Sequence, residues 1–142
     1  METYYKLWID ISEEKVEVVD KILGVKSNNP PSWELLLIEK EKDEYIPFID
    51  YFLSILDGKY EQLEEIGITR DSISVWITYC YDSQCNMEFL PKDMYNLGKE
   101  GITLCVSCYD IHDYDANYDE DGNMLPYGYQ EILQEAKYLF NK

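Results

Sequence analysis

Positive charge is what this chain has least of. Twelve lysines and arginines stand against 29 aspartates and glutamates in 142 residues, a formal net charge of −17. A field of that sign repels nucleic-acid phosphates and anionic membrane surfaces, and it attracts basic proteins and cations. Nucleic acid and membrane are therefore not expected as partners. Histidine occurs once, at His112, and the seven glycines are mostly spent on helix stops, which leaves no glycine loop to cradle a phosphate. No Ser or Cys nucleophile sits in a recognisable elbow, and basic groups that would stabilise a developing anion are scarce. No apolar run approaches membrane-spanning length, and Met1–Lys6 carries no basic leader region. A cytoplasmic protein with four reduced cysteines and no cofactor is the expectation.

What the chain does have is enough apolar and aromatic material for one self-sufficient core: 46% hydrophobic residues, with 14 Tyr and 3 Trp. The most sharply patterned stretch is Leu90–Asp110. Pro91 suits a first helical turn, Met94 and Leu97 share a face, and Gly101 is placed to end the helix. A strand follows, with Ile102, Leu104 and Val106 alternating against Thr103, Cys105, Ser107 and Tyr109. Earlier, residues 3–10 read as a strand with Tyr5, Leu7 and Ile9 on one side and Tyr4, Lys6 and Trp8 on the other. Ser12 is placed to cap a helix carrying Val16, Val19 and Leu23, which Gly24 ends. Trp33–Lys40 is a second strand, and its Leu35–Ile38 run, apolar on both faces, predicts a place well inside a sheet. A helix opening at Asp43 or Glu44 and running to about Asp57 buries Ile49, Phe52, Leu53 and Leu56, and Tyr60–Ile66 gives a shorter helix. Residues 72–81 form a third strand, and Cys85–Leu90 is expected to return beside it as a hairpin. The predicted fold is α+β, a mainly antiparallel sheet with helices packed on one face, in the order β-α-β-α-β-β-α-β. Residues 1–110 make the core domain. Residues 111–142 supply an acidic loop turning at Asp121-Gly122 and a last helix.

The opening strand, Ile22-Leu23-Gly24-Val25, Pro31-Ser32-Trp33, the leucine-rich helix Ile49–Leu56 and the Leu97–Leu104 run into Tyr109 together carry a likeness. Over roughly residues 3–110 the chain resembles an uncharacterised bacterial family, domain-of-unknown-function family 4279. The shared words are structural punctuation, so the resemblance implies a fold and no chemistry. Small acidic proteins of this appearance often act as antitoxins or immunity proteins beside bacterial toxins.

Three groups of residues invite a functional reading. His112 lies beside Asp113 and Asp115, a pairing that can act as a general base, although an exposed loop histidine is the simpler reading. Asn117, Asp119 and Asp121 ahead of Gly122 match the first half of a calcium loop, but its twelfth position is Gly128, not a bidentate carboxylate, and a solvated Asp-Gly turn accounts for the pattern. Cys80-x4-Cys85 and Cys105-x2-Cys108 look like paired zinc knuckles. Strand periodicity sends Cys105 and Cys108 to opposite faces, leaving only Cys80 and Cys85 able to converge, so buried structural thiols are expected instead.

The most informative feature is the second face of the sheet, where Tyr4, Trp8, Trp76 and Tyr109 gather from three strands. Aromatic residues with polar tips suit a protein interface or a homodimer contact, unless the C-terminal helix covers them. The leading expectation is a non-enzymatic acidic interaction module, of the immunity or antitoxin kind, binding a basic protein. The alternatives are a small hydrolase or cation-dependent enzyme built on the His112 cluster, and a homodimeric structural domain.

Overall fold

The computed structural model describes residues 2–40, 42–82, 84–110, 117–118 and 124–125. Strand β1 (Glu2–Ile9) is followed by a short 3-10 turn at Glu13–Lys15 and helix α1 (Val16–Leu23). Next come β2 (Trp33–Lys40), α2 (Phe48–Leu56), α3 (Tyr60–Glu65), β3 (Ile73–Tyr81), α4 (Pro91–Glu100) and β4 (Thr103–Asp110). Two short strands, β5 (Asn117–Tyr118) and β6 (Met124–Leu125), pair antiparallel. None of the described helices is long and apolar enough to cross a membrane.

The main sheet has the order β2-β1-β3-β4. β1 pairs antiparallel with both β2 and β3, while β4 runs parallel to β3. The fold is α+β with a mixed sheet, close to the expected architecture. The expected Cys85–Leu90 hairpin strand is absent, because β4 occupies the free edge of β3 from Ser74 to Tyr81. Parallel neighbours need a long crossover rather than a tight turn. Residues 84–90 therefore join that crossover without pairing, and Met87 and Phe89 pack onto the core from it.

Alternation decides which residues meet the helices. Tyr5, Leu7 and Ile9 of β1, Trp33 and Leu35 of β2, and Ile73, Val75 and Ile77 of β3 all point to one side and are buried. Val16, Val19 and Leu23 of α1, Ile49, Phe52 and Leu56 of α2, Leu63 of α3 and Leu97 of α4 cover them. Gly24 and Gly101 end α1 and α4 with φ near +70°, the left-handed turn that glycine adopts without strain.

Four expectations need correcting. β2 is an edge strand, and its two-sided apolarity arises because both its faces are covered: Leu35 and Leu37 by the helices, Leu36 and Ile38 by contacts with the Tyr4 cluster. Val106 is 41% exposed and Met94 55% exposed, because β4 is the other edge and α4 buries only Leu97 against the core. Helix α2 starts at Phe48, after Pro47, rather than at Asp43 or Glu44. Those earlier residues serve the turn instead: Asp43 accepts the Lys40 N–H at 2.9 Å and Glu39 accepts that of Ile46 at 2.8 Å. Ser12 precedes a 3-10 turn, and its hydroxyl donates to the Glu14 carboxylate instead of capping a backbone group.

One polar knot fastens α1 to the sheet. Trp33, the largest fully buried side chain, donates its indole N–H to Asp20 Oδ1 at 2.9 Å. The same oxygen accepts the Ser27 N–H at 2.9 Å, and the buried Ser27 hydroxyl donates to the Ser32 carbonyl at 2.6 Å. A buried donor stripped of its acceptor costs about 1–3 kcal/mol. Asp20→Ala should therefore lower the unfolding free energy in urea by at least that range, and Asp20→Asn, which keeps an acceptor oxygen, should recover most of it. Equal losses in the two variants would show that the carboxylate acts by charge and not by accepting these bonds.

Candidate functional site

The second sheet face carries the side chains that alternate away from the helices. It divides into two ends with different character. At the end where β1 begins, Tyr4 and Leu36 are buried, 5% and 8% exposed, and Ile38, Cys80 and Tyr109 pack against them. At the other end Trp8 and Trp76 are half-buried and meet edge-to-face, with ring centroids 6.4 Å apart and planes at 75°. Tyr4 and Trp8 are about 13 Å apart at the usual rise of a strand. The four aromatic residues expected to form one surface are thus two groups: Tyr4 is buried with Tyr109 packed against it, while Trp8 and Trp76 meet each other at the far end, and Tyr109, Trp8 and Trp76 are all half-buried.

The tryptophan end is ordered by its neighbours. Register places Trp76 beside Lys6 and Trp8 beside both Ser74 and Glu34. The Trp76 indole N–H donates to the Ser74 hydroxyl at 2.8 Å, which fixes the ring's tilt. Lys6 Nζ sits 5.9 Å from the Trp76 ring centroid and 3.6 Å from Glu34 Oε1, so its charge is balanced by a carboxylate and a ring face. Exposed carboxylates follow directly: Asp10 and Asp71 at the strand ends, joined by the Asp10 N–H to the Ser72 carbonyl at 2.8 Å, then Glu13 and Glu14. Of the acidic groups, Glu34 is the one that register sets directly beside Trp8. Among the described residues the face holds no histidine and hence no nucleophile–imidazole pair. Lys6, Ser74 and Glu34 as supports of the pair were legible only once the register was known.

The cysteines separate in an unexpected way. Cys80 joins the Tyr4 cluster, and Cys105 lies beside Trp76 on the same face. Cys108 alternates to the helical side, next to Tyr79, where Cys85 meets it with the two sulfurs 3.4 Å apart. Cys80 and Cys85 therefore do not converge. The thiols are not deeply buried either: three are half-buried and Cys108 is exposed. No group of three or more metal-ligating side chains occurs among the described residues.

The His112, Asp113 and Asp115 cluster lies outside the described residues, as do Asp119, Asp121 and the C-terminal helix expected over 129–140. Asn117 is placed only by its backbone, which pairs with Leu125 in the β5–β6 ribbon. Compared with protein-family models, curated proteins and solved structures, the chain matches none.

The Cys85–Cys108 contact has a direct chemical consequence. Partial desolvation, and then the Cys85 sulfur beside it, push the Cys108 thiol up, because a thiolate there forgoes water and faces a second sulfur. Incubation with oxidised glutathione should yield one internal disulfide, seen by mass spectrometry as a peptide joining Cys85 to Cys108. Its rate should climb as pH rises from about 7 to about 9 and more thiolate forms. A Cys80–Cys105 link, or a mixture of pairings, would contradict the geometry.

Proposed function

We propose that this chain is a non-enzymatic, acidic protein-interaction module that binds a basic protein, in the manner of an immunity or antitoxin-type inhibitor acting in the cytoplasm. The observation that supports this best is the half-buried Trp8–Trp76 pair on the sheet face away from the described helices, with exposed carboxylates at the strand ends. Tryptophan is among the residues that most often carry binding energy when a partner desolvates it, and its rigid ring loses little entropy on docking. The carboxylates do different work. Charge of one sign over a whole molecule accelerates encounter and orients it, and salt screens this effect within about 8 Å at physiological ionic strength.

The division of labour separates two measurable rates. Raising salt should slow association steeply and leave dissociation little changed. Trp76→Ala should do the reverse, costing about 2 kcal/mol, or roughly thirtyfold in Kd, mostly through faster dissociation. The experiment is a capture from bacterial lysate with wild-type and Trp76→Ala baits at low and moderate salt, followed by kinetics on the captured protein. A basic protein held by the wild type, released by salt and lost with the variant is the expected result. A clean bait, or equal capture by both, removes this reading, and a doubled solution mass in the clean-bait case would assign the face to a homodimer contact.

A further inference from the structure

On the helical side, where β1 and β2 meet residues 45–49 and the unpaired 86–89 segment, the fold leaves a cleft of about 240 Å³. Tyr5 forms its floor, stacked on Phe48 with ring centroids 4.1 Å apart and planes 12° from parallel. Tyr45, 64% exposed, stands at the rim. Three carboxylates reach the same space from three parts of the chain: Glu39 at the end of β2, Glu88 from the unpaired segment and Asp93 from the first turn of α4. No lysine or arginine lines it among the described residues.

Each component constrains the occupant. Ring faces carry negative quadrupole potential and carboxylates carry full charge, so both favour a cation and disfavour an anion. The apolar floor favours an aliphatic body over a bare, strongly hydrated metal ion. The Ile46 N–H, donating to Glu39 Oε2 at 2.8 Å, holds that carboxylate in place before any ligand arrives. Burial pushes the pKa of the Tyr45 phenol up and so resists its ionisation, and the charges of Asp93, Glu39 and Asp50 act the same way, in that order after burial. The rim therefore already feels the negative potential. Binding pockets for drug-sized molecules span roughly 300–1,000 Å³. This one is smaller and open, matched to a single side chain or a short amine rather than a nucleotide or a sugar.

We infer that this cleft is a binding site for an ammonium group carried on a short aliphatic chain, with Glu39 and Asp93 pairing the charge, Tyr45 supplying a ring face and the Tyr5–Phe48 stack an apolar floor. The ammonium belongs either to a free alkylamine or to a lysine of a basic partner protein, and only the second case rests on the interaction-module reading. The unpaired segment is what makes the site. Had residues 85–90 paired as a strand, Glu88 would have been carried away from Glu39 and Asp93.

The test is a titration of the isotopically labelled full chain with n-butylammonium chloride, followed by backbone amide shifts. n-Butanol serves as the neutral match and sodium chloride as the salt control. Butylammonium should shift amides around Tyr5, Glu39, Phe48 and Asp93, and butanol should not. Glu39→Gln and Asp93→Asn should each weaken binding by about three- to fivefold. Asp93→Asn leaves the Glu39–Ile46 turn intact, so the proposal does not depend on one variant folding. A second titration compares a blocked lysine peptide with its norleucine counterpart. Selective shifts from the lysine peptide assign the ammonium to a protein partner, and shifts from butylammonium alone assign it to a free amine. No shifts, shifts equal to those of butanol or salt, or shifts scattered elsewhere overturn the site. Trp76→Ala alters the opposite face and should keep the butylammonium shifts, so failure of the partner reading and failure of this one are distinguishable.

Discussion

The Asp20 carboxylate is the contact that ties α1 and the loop after it to the sheet. Trp33 opens β2 opposite Ile9, and its indole is the largest side chain in the core. A buried ring of that size contributes a large hydrophobic gain, but it brings one N–H that must find an acceptor. Asp20, one turn from the end of α1, provides it and holds Ser27 with the same oxygen. The connection through Ser27–Ser32 is thereby closed onto β2, with further bonds from the Glu34 N–H to the Ser27 hydroxyl and the Leu36 N–H to Asn28. A charged group near the core is tolerable when it accepts hydrogen bonds, and here Oδ1 takes two, from the Trp33 indole and the Ser27 N–H.

From that anchor the sheet is built outward. β1 lies between two antiparallel partners, so its alternation is read twice, once by each neighbour, and a one-residue slip would turn Leu7 and Ile9 away from the helices to the second face. The parallel addition of β4 then fixes the rest. It uses the edge of β3, leaves 84–90 unpaired, and brings Cys108 to Cys85 and Glu88 toward Glu39. Arg70 completes the join: its guanidinium stacks 3.6 Å over the Tyr60 ring and donates to the Glu100 carbonyl at 2.6 Å, at the end of α4 where orphan carbonyls need donors. Burial, and then the nearby Glu100 charge, push the Tyr60 phenol up to about 12, so the phenol under the guanidinium stays neutral through the physiological range.

The two surfaces proposed for recognition share a logic. Each sets aromatic rings beside carboxylates, one on the sheet face away from the described helices and one in the cleft on the helical side. In a chain of net charge −17 the acidic field is everywhere, so charge alone selects no site. Selection comes from where rings remain accessible, since a cation gains most when it can leave water for a ring face and a carboxylate together.

The sequence by itself determined β1 to β4, the helices α1 to α4 apart from the start of α2, and most of the inward residues, because these rest on local periodicity and on stops such as Gly24 and Gly101 that act on their own neighbours. It also determined the acidic field and the gathering of Trp8 and Trp76 on one face. Only the tertiary structure decided strand order, and with it the features that strand order controls. The two-sided Leu35–Ile38 run reports coverage of both faces, which an edge strand can have as well as a central one. The Cys85–Leu90 alternation reports packing of Met87 and Phe89, which an unpaired segment achieves without a ladder. The division of the second face into a buried tyrosine end and an open tryptophan end, the Cys85–Cys108 contact, and the meeting of Glu39, Glu88 and Asp93 all join residues far apart in the chain. Periodicity assigns a residue to a face of its own element. Which faces meet is settled by pairing between elements, and no local pattern encodes it.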